Sequence, residues 1–69
     1  MIQMKEKIIE VLRESPRGLR LREIASHLRC NQFSLISPMY EMEQAGVVSS
    51  RSNEDHANGE YYTIWFLAK

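Results

Sequence analysis

The stretch EIASHLRCNQFSLISPMYEMEQAG, residues 23–46, holds two apolar helical periods with a break between them. Leu21, Ile24, Ala25 and Leu28 fall on one face of a helix over about 21–29, with Arg22, Glu23, Ser26 and Arg29 turned away. Asn31 is a residue type that caps helices by accepting a backbone N–H, so the next helix is predicted over roughly 32–45. On that helix Leu35, Met39, Met42 and Gly46 cluster on the core side. Phe33, Ile36, Ser37, Tyr40 and Gln44 lie opposite. Gly46 stops the helix, because glycine adopts the left-handed conformation of a C-terminal cap at little cost. Pro38 either kinks this helix or marks a later start, with Ser37 as cap and Pro38 at the first helical position.

Working outward, residues 3–15 read as a first helix with Met4, Ile8, Val11, Leu12 and Ser15 on one face and Ile9 widening it. Pro16 ends it and Arg17-Gly18 turns the chain. Leu19-Arg20-Leu21 is a short extended piece. Downstream, Val47 to Ser50 begins a strand, and the polar run Arg51 to Gly59 is predicted as a loop containing the turn pair Asn58-Gly59. Glu60 to Leu67, rich in aromatic and β-branched residues, is the longest strand. The expected order is helix, short strand, helix, helix, strand, loop, strand.

With that order in place, residues 23–46 resemble the helix-turn-helix of the winged-helix superfamily. Glu23-Ile24-Ala25 and Leu28 match its first motif helix, Cys30 the small turn residue and Asn31 the polar cap. Leu35, Met39 and Met42 match the inward face of its recognition helix, and Glu43-Gln44-Ala45-Gly46-Val47-Val48 the junction to the wing. The resemblance covers nearly the whole chain and specifies a superfamily rather than a single family. It implies an α+β fold, a winged helix-turn-helix of three helices with a small antiparallel sheet. The chain is one domain over 1–69, with the helix-turn-helix at about 21–46 and the wing at about 47–67.

The same resemblance implies sequence-specific binding of double-stranded DNA by a small transcriptional regulator that acts by occupying its operator. The third helix would enter the major groove and the wing would reach a neighbouring backbone. Residues 1–35 hold seven basic and four acidic groups, whereas 36–69 hold two and five, so the positive charge gathers around the first half. Arg20, Arg22 and Arg29 then face phosphates, with Arg51 on the wing. Gln32, Phe33, Ser34, Ser37 and Tyr40 are the candidates for base or groove contact. The outer face of the third helix has no basic residue, and Glu41 and Glu43 make that helix acidic. The alternative is therefore a protein-interaction module that uses Phe33, Ile36 and Tyr40 at i, i+3, i+7.

Composition narrows the classes further. The chain has 69 residues, 43% hydrophobic and 26% charged, with nine basic and nine acidic groups. That is an ordinary globular balance with no global field. No nucleophile triad, phosphate loop or paired carboxylate is present, so no enzyme, catalytic residue, cofactor or small-molecule ligand is expected. One cysteine, Cys30, and two histidines, His27 and His56, have no metal-ligand spacing. Cys30 cannot form an internal disulfide, and no apolar run suggests a signal peptide or membrane span, which predicts a cytoplasmic protein.

The last strand is apolar on both faces. Tyr62, Ile64 and Phe66 are expected to pack on the third helix, leaving Tyr61, Trp65 and Leu67 for a homodimer contact or for cover by the first helix.

Overall fold

The computed structural model describes residues 3–68. It is an α+β structure of three α-helices and a two-stranded antiparallel sheet: α1 Met4–Arg13, α2 Leu21–Leu28, a 3₁₀ turn Gln32–Leu35, α3 Ile36–Gln44, β1 Val48–Asp55 and β2 Glu60–Leu67. The helices close a single cluster in which Ile8 and Leu12 of α1, Ile24 and Ala25 of α2, Leu35, Met39 and Met42 of the third helical segment, and Val48 of β1 are buried. Those eight side chains follow the apolar periods of the sequence. Burying each large one contributes roughly 1.5–3 kcal/mol, which holds helices too short to persist alone. Cys30, the turn residue of the motif, is half-buried against it. Gly46, also placed with the core, is exposed.

Two helix ends share one device. At the end of α3, Val47 N–H donates to Met42 O at 2.8 Å and Gly46 N–H to Glu43 O at 3.1 Å, with Gly46 at φ +78°. At the end of α2, Cys30 N–H donates to Ala25 O at 3.0 Å and Arg29 N–H to Ser26 O at 3.3 Å. These are the paired bonds of a Schellman end. In α2 the left-handed position is held by Arg29, at φ 56°, instead of glycine. That places a long cationic side chain at the turn between α2 and the next segment.

The predicted helix over 32–45 divides in two. Asn31 Oδ1 accepts from Phe33 N–H at 2.8 Å, but the segment it caps is the 3₁₀ turn, and regular helix starts at Ile36. Pro38 explains the division. It falls at the third position of α3, where backbone N–H groups have no intrahelical acceptor, so its missing N–H removes no bond. Neither the expected mid-helix kink nor a cap at Ser37 is required.

The predicted loop over 51–59 is also corrected. β1 runs on through Arg51 to Asp55, and the turn is confined to residues 56–59. Strand propensity in Arg51-Ser52-Asn53-Glu54-Asp55 is low, but each residue lies in register with a residue of β2, from Arg51–Ile64 to Asp55–Glu60. The strongly β-forming second strand imposes the ladder on its partner. The hairpin, about 26 Å long at ~3.3 Å per residue, accounts for much of the 42 × 26 × 21 Å shape.

Register also settles which face of β2 looks inward. Val48 pairs with Leu67 and Ser50 with Trp65. Val48 is buried, Trp65 and Leu67 pack against the core, and Ser50 Oγ donates to Glu43 Oε2 of α3 at 3.1 Å. Paired residues share a face, so Tyr62, Ile64 and Phe66 lie on the outer one with Ser49, Arg51 and Asn53. This reverses the expected assignment. Both sets are apolar, so alternation could not choose between them; the buried Val48 and the pairing of Leu19 with Trp65 do.

Leu19 is the short strand expected before α2, reduced to a single bridge. Its N–H donates to Trp65 O at 2.8 Å and Trp65 N–H donates back to Leu19 O at 2.7 Å. Gly18 makes this approach possible. It has φ +92°, and a Cβ there would overlap Ile64 Cγ2 and lie 2.8 Å from Trp65 O.

Candidate functional site

Two surfaces collect the residues singled out in the sequence. The first is the outer side of the 3₁₀ turn and α3. With Leu35, Met39 and Met42 drawn into the core, Phe33, Ile36 and Tyr40 stand 70%, 52% and 61% exposed. Ser34, Ser37 and Gln44 are exposed beside them. The two acids of α3 are drawn off this face to its flanks. Glu41 pairs with Lys5 Nζ of α1 at 2.6 Å, and Glu43 accepts from Ser50 of β1. The centre of the outward face is aromatic, aliphatic, hydroxyl and amide. Glu41 stays 56% exposed beside this face, its charge offset by Lys5, whereas Glu43 is turned toward β1. Arg29 is exposed at the turn that leads into this surface.

The second surface is a groove of about 520 Å³ between the start of α2 and β2. Arg20, Leu21, Arg22 and Gln32 line one side and Glu60, Tyr61, Tyr62, Thr63 and Trp65 the other. Local bonds fix the first wall. Glu23 Oε1 accepts from Arg20 N–H at 2.7 Å across the first turn of α2, and a carboxylate there also complements the helix dipole. The Arg20 guanidinium lies 3.9 Å from the centre of the Tyr62 ring, a cation–π contact that orders its side chain. Among the described residues neither Arg20 nor Arg22 is in a salt bridge.

The structure therefore brings Arg20, Arg22 and Gln32 together in the groove, and Phe33, Ser34, Ser37 and Tyr40 together on the α3 side. It does not bring Arg51 to the tip of the hairpin. Arg51 sits within β1 opposite Ile64, on the outer sheet face, with its guanidinium 5.9 Å from the Phe66 ring centre. The tip is instead built by Asp55. Its side chain accepts from Ala57 N–H at 3.1 Å and from Asn58 Nδ2 at 2.9 Å, and its carbonyl from Gly59 N–H at 2.7 Å.

The set Tyr61, Trp65 and Leu67, expected at a homodimer contact, is divided. Trp65 and Leu67 pack on the molecule's own core, and only Tyr61 is exposed, at 73%. The aromatic wall of the groove was missing from the sequence reading. Its one trace there is the two-sided apolar character of residues 60–67.

Among the described residues no helix is long and apolar enough to cross a membrane. No protein-family model matches the sequence, and no curated protein matches it.

Proposed function

We propose that the chain is a winged helix-turn-helix that binds double-stranded DNA and regulates transcription in the cytoplasm by occupying its operator. The observation that carries this reading is the exposed outer face of the 3₁₀ turn and α3, where Phe33, Ser37, Tyr40 and Gln44 stand clear of the core. A helix entering the major groove meets phosphates on both sides, and an outward carboxylate would be repelled. Here Glu43 is engaged by Ser50, and Lys5 offsets the charge of Glu41, which stays 56% exposed. Ser37 and Gln44 offer hydrogen bonds to base edges, Phe33 and Ile36 offer apolar contact to thymine methyls, and Arg22 and Arg29 supply flanking charge. The hairpin serves as the wing, with Arg51, exposed on β1, as its basic residue for a neighbouring phosphate. A two-fold operator is read by a two-fold protein, so the homodimer stays part of the proposal. Of the three residues expected at its contact, Tyr61 is the exposed one.

A salt series of duplex-binding measurements tests this. Affinity should fall steeply with salt. Arg22→Ala and Arg29→Ala should each weaken binding on every sequence and flatten the salt slope by about one. Ser37→Ala should change which sequences are preferred. Absence of duplex binding at low salt refutes the proposal. That result favours the second reading, a protein partner seated on Phe33, Ile36 and Tyr40, for which the specific observation is the exposure of all three on one face.

A further inference from the structure

We infer that the groove beside β2 receives an extended acidic segment of a partner protein, added as a strand to the open edge of the sheet. The argument begins with the Leu19–Trp65 pair. Those two residues exchange both backbone hydrogen bonds, at 2.8 and 2.7 Å, on the side of β2 away from β1. In an antiparallel ladder the direction of N–H and C=O alternates along the strand. Tyr61 and Thr63 therefore present their backbone groups to the same edge as Trp65. Leu19 meets only Trp65, because Arg20 caps α2 and the chain turns away into the helix. Among the described residues no other backbone group meets Tyr61 or Thr63 on that side.

Four backbone groups in a line, with one strand residue already in place at the end of the line, form a template for strand addition. The groove of about 520 Å³ lies along this open edge, with Tyr61, Thr63 and Trp65 among its lining.

The wall opposite the edge selects the chemistry. Arg20 and Arg22 carry two positive charges against the single carboxylate of Glu60. Arg20 is already ordered on the Tyr62 ring, so it loses little freedom when it meets an anion. Leu21, Tyr61 and Trp65 supply the apolar remainder. An incoming strand has alternating side chains. One set, if acidic, meets the two guanidiniums; the other, if β-branched, covers the apolar wall. Open edges are ordinarily blocked by lysine, by proline or by a covering element. Here the open positions are Tyr61 and Thr63, and among the described residues none of those devices covers them.

The test uses the full chain labelled with nitrogen-15 and a capped eight-residue peptide of alternating valine and glutamate. Three probes serve for comparison: the valine–lysine counterpart, the valine–glutamate peptide N-methylated at alternate residues, and an oligothymidine. The valine–glutamate peptide should shift the Tyr61 and Thr63 amide resonances saturably and slow their exchange with solvent. The lysine peptide and the N-methylated peptide should not. Arg22→Glu should weaken binding about tenfold, since a charge-assisted contact becomes a repulsive one. Thr63→Pro should abolish it, and proline is tolerated where a strand N–H faces outward. If that variant fails to fold, Arg22→Glu and the N-methylated peptide still decide the matter.

Lack of a saturable shift at these two amides by about 1 mM peptide, the weak end of specific binding, overturns the inference. So does an equal response to the lysine peptide. Displacement of the peptide by oligothymidine at equal charge assigns the groove to nucleic acid and overturns it too. Shifts at Tyr61 and Thr63 that follow protein concentration alone assign the edge to a second copy of this chain, with the same consequence.

Discussion

Replacing Gly18 by alanine tests the packing of the chain entering α2 against β2. At φ +92° an L-residue is strained by about 1–2 kcal/mol. The added Cβ would also overlap Ile64 Cγ2, which can rotate, and lie 2.8 Å from the carbonyl oxygen of Trp65, which cannot retreat without breaking the bridge to Leu19. Loss of the two bridge bonds adds about 0.5–1.5 kcal/mol each, for a total cost of about 2–5 kcal/mol. A chain of this length has a stability of roughly 3–10 kcal/mol, so the substitution removes a large part of it.

Gly46→Ala is the control. Gly46 has φ +78° and nothing within 4 Å of its would-be Cβ, so only the backbone strain of about 1–2 kcal/mol applies. Urea unfolding followed by the fluorescence of Trp65, the only tryptophan, reads both. With a denaturant slope of about 1 kcal/mol per molar, the Gly18→Ala midpoint should fall at least about 1 M further than that of Gly46→Ala. Equal midpoints for the two variants would refute the close approach of Gly18 to β2.

Three further outcomes follow from the core and the helix ends. Met42→Ala, which empties a buried position between α3 and the sheet, should cost about 2–5 kcal/mol in the same urea assay. Arg29→Gly should stabilise the fold by roughly 0.5–1 kcal/mol, because the left-handed strain of arginine exceeds the chain entropy that glycine adds. It should at the same time weaken duplex binding, so thermal unfolding and affinity move in opposite directions. Asn31→Ala should cost about 0.5–2 kcal/mol, since Asn31 Oδ1 satisfies the Phe33 N–H at the start of the 3₁₀ turn.

The sequence by itself determined the helices and their buried faces. Ile8 and Leu12, Ile24 and Ala25, and Leu35, Met39 and Met42 recur at helical spacing, and they are the side chains that meet in the core. The stop at Gly46 was equally legible, because a glycine after the last apolar period carries a local conformational signal. These are properties of short stretches of chain. What tertiary structure decided depends on residues far apart in sequence. The strand over Arg51 to Asp55 exists because β2 pairs with it, and no local preference announces that. The inward face of β2 follows from Val48 and from the bridge to Leu19, since an apolar residue at every position carries no alternation to read. The partners of the two acids of α3, Lys5 and Ser50, come from α1 and β1, and only the folded molecule brings them there. The groove, likewise, joins Arg20 and Arg22 to Tyr61 and Thr63 across some forty residues of chain, by way of two backbone hydrogen bonds that only the folded molecule can make.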